Sequence, residues 1–160
     1  MKKTSKRWSL GLLLMAALLL CACGEKPQPA QSVDLQKVYE EIGNRVELPN
    51  MIELSEKRLL NYYGIDAQAC PQALARINEA GLSVDEIWLI EAADASVAEG
   101  IAEIARSRIT QLCAETEKYS PELYAVAQKG QVLHEGAYVA LFISPEAETM
   151  AQIFREVAGK

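Results

Sequence analysis

Apolar residues run almost without a break from 8 to 22, thin out through 24–33, and then return in two different periods. Leu35, Val38 and Ile42 stand at i, i+3 and i+7 behind Ser32 and Asp34, either of which can cap, so a short amphipathic helix is predicted over 34–44. Glu47-Leu48-Pro49-Asn50 breaks it. Ser55 then precedes Glu56, Leu54 and Leu59 occupy the hydrophobic-staple positions, and Gly64 with Ile65 supplies a Schellman-type stop, which predicts a second helix over 56–63.

Beyond it the period changes to that of strands, twice. Residues 73–79 alternate like an edge or half-buried strand, 79–81 turn, and 86–90 are apolar on both faces like a central strand. A long helix follows from Asp94 or Ser96, with Ser96 and Glu99 at capping-box spacing. A second strand pair, 132–134 and 138–143, surrounds Glu135-Gly136, and Ser144-Pro145-Glu146 opens a last helix with a cap, a proline and an acid facing the dipole. Tyr119-Ser120-Pro121-Glu122 repeats that opening, with Tyr119 and Tyr124 as staple partners, and reads as a helix entry without a catalytic role. The pattern predicts an α+β fold: a four-stranded antiparallel sheet from two ββα units, the second mirroring the first as an old duplication would, with helices packed on one face and two short helices in front.

The amino terminus carries an address. Lys2, Lys3, Lys6 and Arg7 form a basic segment without an acid, and the fifteen residues 8–22 that follow would make roughly 22 Å of helix, short of the ~30 Å core of a bilayer. A removable signal is expected rather than a span. Leu20-Cys21-Ala22-Cys23 resembles the bacterial lipobox, departing from its usual pattern at Cys21, and that resemblance implies a diacylglyceryl group on Cys23 and cleavage before it. Residues 24–33, with two prolines and no apolar period, read as a tether. The expected organisation is a signal over 1–22, a lipidated Cys23 with its tether to 33, and one domain over 34–160.

Charge narrows the partners. The chain has 16 basic and 22 acidic residues, and removing the four basic residues of the signal leaves 12 against 22, a balance of −10. An acidic body disfavours nucleic acid and anionic lipid surfaces, so membrane contact is expected through the lipid on Cys23 alone. His134 is the single histidine, and no CxxC pair lies in the mature chain, which excludes zinc-finger, thioredoxin-like and multi-histidine metal sites. No cofactor and no metal are expected. Cys70 and Cys113 are read as buried free thiols, with a disulfide open as the alternative. A Cys-His nucleophile using His134 would need an orienting group that spacing does not supply. No glycine-rich phosphate loop or nucleophile elbow is present, and the acids are scattered, Glu40-Glu41 and Asp85-Glu86 being the adjacent pairs, so most read as solvated. No catalytic residue is assigned.

Within the long helix Val97, Ile101, Ile104, Ala105, Ile109 and Leu112 share one face, and Arg108 falls inside it. A guanidinium there needs a partner. Either Arg108 is structural, paired with a carboxylate or reaching water along its stem, or it contacts an anion or an acidic partner in a groove. In the structural case Arg108→Met should change stability little. Trp88, on the doubly apolar strand, is expected in the core.

Tyr63-Gly64-Ile65-Asp66 closing a helix, Asp85-Glu86-Ile87-Trp88 opening a strand, Arg108, Tyr119-Ser120-Pro121-Glu122 and Gly136-Ala137-Tyr138-Val139, together with the lipobox, resemble the clostridial-type lipoproteins that carry domain of unknown function 4358. The likeness covers about 34–158. It implies an envelope address and a fold outline, and carries over no catalytic residue. The expected function is a membrane-anchored, extracytoplasmic, non-enzymatic binding or assembly module on the outer face of the cytoplasmic membrane, meeting an unknown envelope protein or component. The alternative is a small hydrolase-like envelope enzyme accessory to cell-surface polymer modification.

Overall fold

A computed structural model describes residues 32–158. Cys23, the signal and most of the tether lie outside the described residues. Asp34 caps α1 (Leu35–Arg45) by accepting from the Gln36 and Lys37 amides, and Leu35, Val38 and Ile42 form its buried stripe. After β1 (Met51–Glu53), α2 (Glu56–Tyr63) ends at Gly64, whose φ of 73° is left-handed; the Gly64 amide reaches Leu60 O, the 5→1 bond of an αL cap, and the Ile65 amide reaches Leu59 O, so the glycine stop is where the sequence predicts it but the bonds are not the Schellman pair. A 3-10 turn (Ala67–Ala69) leads into β2 (Gln72–Asn78) and β3 (Glu86–Glu91). Asp94, not Ser96, caps the long α3 (Ala95–Thr116). Ser120 caps α4 (Pro121–Gln128) through the Leu123 amide, after which come β4 (Gln131–Glu135), β5 (Tyr138–Ile143) and α5 (Ala147–Ala158). Tyr119 stands almost wholly exposed, so the expected Tyr119–Tyr124 staple has no buried anchor.

The fold is α+β with an antiparallel sheet, but the sheet has five strands, ordered β1-β2-β3-β5-β4. The strand missed by pattern is β1, three residues paired with Arg76, Ile77 and Asn78. It is too short to show a period of two.

The helices cover both faces of the sheet, not one. Trp88 and Ile90 of β3 with Val139, Leu141 and Ile143 of β5 point to Leu59 of α2, the Ala98, Ile101, Ala102, Ala105 and Leu112 side of α3, and Ala127 of α4. Ile87 and Leu89 with Ala140 and Phe142 point the other way, to α1 and to Met150, Ile153 and Phe154 of α5. Two apolar faces on each central strand demand two covering layers, since either face left open would strand about 1.5 to 3 kcal/mol of burial per large side chain. A rotation exchanging the antiparallel neighbours β3 and β5 has its axis normal to the sheet and leaves a helix on the side where it began. Because α3 and α5 lie on opposite sides, the second ββα unit is not a rotated copy of the first.

The α3 stripe is turned from the expected one: Val97 is exposed, Ile104 and Ile109 are half-buried, and Ala98 and Ala102 are at the core. Alanines at these positions let the helix axis approach the sheet closely, and Trp88 fills the space beneath, fully buried as expected.

Three residues abreast on β2, β3 and β5 fasten the start of the domain. Gln72 and Tyr138 each face Glu91 in register. Tyr138 Oη donates to Glu91 Oε1 and accepts the Val33 amide, both at 3.0 Å; Gln72 Nε2 donates to Glu91 Oε2 and Val33 O, while Gln72 Oε1 accepts the Leu35 amide at 3.0 Å.

Candidate functional site

Glu86, the first residue of β3, is 1% exposed and shares a strand face with Trp88 by the two-residue period of the strand. Its carboxylate is held at both oxygens. Trp88 Nε1–H donates to Oε1 at 2.8 Å, and Arg108 Nε–H, descending from α3, donates to Oε2 at 2.8 Å. A buried carboxylate with a cation and a neutral donor on separate oxygens meets the condition for keeping its charge out of water.

Tyr63, the last residue of α2, closes the cluster. Its ring meets Trp88 edge-on with centroids 4.6 Å apart, and the Arg108 guanidinium carbon sits 5.5 Å from its centroid, within cation–π range. Burial, then the neighbouring Glu86 carboxylate, push the Tyr63 phenol well above its ordinary range. For Arg108, burial opposes the charged form, but the Glu86 carboxylate more than offsets it and the net shift is upward. Four side chains from α2, β3 and α3 thus make one near-neutral, half-buried polar site.

Outside it lies a recess of about 210 Å³ walled by the β2–β3 loop, where Asn78, Ser83 and Asp85 join Tyr63, Glu86 and Arg108. Asp85 Oδ2 accepts from Ser83 Oγ and from Asn78 Nδ2 at 3.2 Å. Among the described residues no acceptor meets Arg108 Nη1 or Nη2, and no cation pairs with Asp85.

Arg108 therefore has the carboxylate partner that its position required, and also faces a recess. Cys70 and Cys113 are free thiols packed against the same core cluster, with no disulfide between them. Burial, then Asp66, raises the Cys70 thiol. His134 is held by Glu99 Oε2 at 2.9 Å on Nδ1 and by the Gly136 carbonyl at 3.0 Å on Nε2, so both ring nitrogens face acceptors and neither faces a thiol. Among the described residues no cluster of three or more metal-ligating side chains occurs. Sequence reasoning missed Glu86 and Tyr63 as site residues. The period of β3 carried the signal for Glu86: an acid two positions before a core tryptophan lies on the core face.

A wider groove of about 530 Å³ opens at the sheet end near Arg45, Glu47, Asp85 and Ser144, but Arg45 is already engaged with Glu156 and Glu41. Asp85 lines this groove as well as the 210 Å³ recess, whereas Arg108 lines only the recess of these two.

The family model described as domain of unknown function (DUF4358) matches residues 44–144, a span that contains Tyr63, Asp85, Glu86 and Arg108 and stops short of α5. No curated protein and no solved structure matches the chain.

Proposed function

The chain belongs to the family defined by domain of unknown function (DUF4358), and from that premise we propose that it is a lipid-anchored, extracytoplasmic binding or assembly module of the cell envelope. The observation that carries the binding half of this reading is the pair of Arg108 nitrogens that find no acceptor among the described residues while the third is locked to buried Glu86. A guanidinium fixed on its inner edge and open on its outer edge is pre-organised for a partner's oxyanion, because little side-chain entropy remains to be lost on contact.

The anchoring half rests on the basic segment, the short apolar stretch and the Leu20-Cys21-Ala22-Cys23 sequence. None of the described helices is long and apolar enough to cross a membrane. With acyl chains on Cys23 no basic surface is needed, in keeping with an acidic body.

Crosslinking in intact envelope membranes, followed by recovery of the full-length protein, tests the reading. A discrete crosslinked partner that is lost in Arg108→Lys, together with a lipidated amino-terminal peptide beginning at Cys23 in mass spectrometry, is the expected result. An unmodified mature amino terminus overturns the anchor, and capture indifferent to Arg108 overturns the site.

A further inference from the structure

We propose that the recess beside Arg108 binds a single carboxylate attached to a short apolar group, both oxygens on the outer edge of the guanidinium and the apolar part against Tyr63, Ile77 and Val84. This deepens the binding-module reading and rests on it. Arg108 Nε is engaged on Glu86, while Nη1 and Nη2 meet no acceptor among the described residues. Both are open to solvent, because among the described residues Arg76 Nε is the one buried side-chain nitrogen or oxygen without a partner. The concave surface that Arg108 lines is this recess. Two donors in one plane match the two oxygens of a carboxylate, and the bond from Nε, at 2.8 Å, already removes much of the side-chain freedom that contact would otherwise cost. No acid of the chain fills the fork. Glu86 is engaged at its two oxygens by Trp88 and by Arg108 Nε, and Glu115, further along α3, accepts from Gln111 and forms no ion pair with Arg108. Asp85 falls in phase with Ile87 and Leu89 on the other sheet face and is bonded to Asn78 and Ser83.

Size and charge restrict the ligand. At about 210 Å³ the recess is smaller than the roughly 300 to 1,000 Å³ typical of drug-sized ligand sites, so its occupant has few heavy atoms. A multiply charged anion such as phosphate would share one guanidinium with Glu86, on a chain with 22 acidic against 16 basic residues. A carboxylate brings a single charge. Buried Val84, half-buried Ile77 and the Tyr63 ring offer an apolar wall to the short group that carries it.

The test uses the full chain in detergent micelles at constant ionic strength, read by the indole N–H resonance of Trp88, whose hydrogen bond to Glu86 sits directly behind Arg108. Trp8 is the second tryptophan, and Trp88→Phe assigns the peaks. Propionate is the probe, with propionamide as its neutral isostere, N-acetylalanine as a peptide chain end and inorganic phosphate as the multiply charged anion. The expected result is a saturable shift with propionate or N-acetylalanine at a Kd at least about tenfold below that of phosphate, and none with propionamide. Whichever of the two carboxylates binds tighter identifies the source, a free short-chain acid or the end of a partner's chain. Arg108→Lys, which keeps a cation for Glu86 but loses the fork, should weaken the tighter one about tenfold or more. Gly81→Glu, at a loop position lining the recess where an added Cβ meets nothing within 4 Å, adds a like charge and should weaken it about threefold at low salt relative to Gly81→Gln. The Gly81 pair and the comparison of acid with amide decide if Arg108→Lys fails to fold. Equal shifts from propionate and propionamide, tighter binding of phosphate, binding indifferent to both Arg108→Lys and Gly81→Glu, or no saturable shift overturns the proposal. Loss of partner crosslinking in Arg108→Lys without any carboxylate shift in the wild type also overturns it, while leaving the binding-module reading in place.

Discussion

Arg108 Nε stands 2.8 Å from Glu86 Oε2, joining the second half of α3 to the first residue of β3 across 22 positions. Glu86 is buried to 1% exposure and the Arg108 side chain to 20%, so the pair behaves as an interior one. Removing the cation alone would leave a carboxylate that water cannot reach, with Trp88 and the Tyr63 phenol as its remaining polar neighbours. Arg108→Met should therefore cost about 3 to 5 kcal/mol, against the small change that a snorkelling or rim arginine would show. Glu86→Leu combined with Arg108→Met should recover most of that loss, because the desolvated charge goes with its partner. Denaturant unfolding of both singles and the double measures the coupling, and additive losses would show that the two do not depend on each other.

How far this cluster was legible in the sequence depends on which residue is asked. Arg108 announced itself, since a cation within an apolar helical stripe conflicts with its surroundings, and Trp88 followed from a strand apolar on both sides. Glu86 did not, because as one of the adjacent acids Asp85-Glu86 it reads as a solvated strand entry until the face it shares with Trp88 is followed. The two faces of β3 and β5 already implied helices on both sides of the sheet, which the ββα repeat pattern obscured. The orientation of α3 was less accessible still, because alanines contribute little to an apolar stripe and yet lie closest to the sheet.

Tyr63 gives the site a pH signature. Its folded-state phenol is raised, by burial first and then by Glu86, so the folded chain holds a proton that the unfolded chain releases near the model-compound value of about 10. Stability from this group is complete below that value and falls as pH rises through the unfolded and toward the folded pKa. In an absorbance titration of tyrosinate, one of the six tyrosines should ionise only with unfolding. Tyr63→Phe should remove that late step and flatten the alkaline loss of melting temperature. A titration unchanged by the substitution would assign the late step elsewhere.

Gly130, between α4 and β4, is held small by its neighbours and not by its backbone. A Cβ there would lie 2.8 Å from Ile109 Cδ1, 2.9 Å from Ile109 Cγ1 and 3.1 Å from Ala127 O. The half-buried isoleucine must give way to admit a Cβ, and the Ala127 carbonyl, a backbone atom of α4, keeps the space tight as well. Gly130→Ala should therefore cost about 1 to 3 kcal/mol, as overpacking does, despite the better chain entropy of alanine. Ile109→Val in the same chain should return part of it. Thermal unfolding of the single and the pair reads both, and a stabilised Gly130→Ala would refute the contact.

Tyr138 should govern how firmly the chain is fastened where it enters the domain. Its hydroxyl is the only acceptor of the Val33 amide among the described residues, and it reaches Glu91, which Gln72 holds from the other side. Burial raises the Tyr138 phenol, with the Glu91 carboxylate acting in the same direction against the Val33 amide, so at neutral pH the hydroxyl is protonated and can donate and accept at once. Tyr138→Phe removes both bonds and keeps the ring, for a cost of about 1 to 3 kcal/mol, the value of hydrogen bonds of which one is to a charged group. The loss should be local: the Val33 amide should exchange with solvent far faster, the Leu35 amide, still bound to Gln72, only moderately so, and the β3 amides not at all. Hydrogen exchange resolved by residue separates that pattern from general destabilisation, in which β3 amides would accelerate in parallel. If Val33 remained protected in Tyr138→Phe, the fastening would have to come from Gln72 alone, through its bond to the Val33 carbonyl.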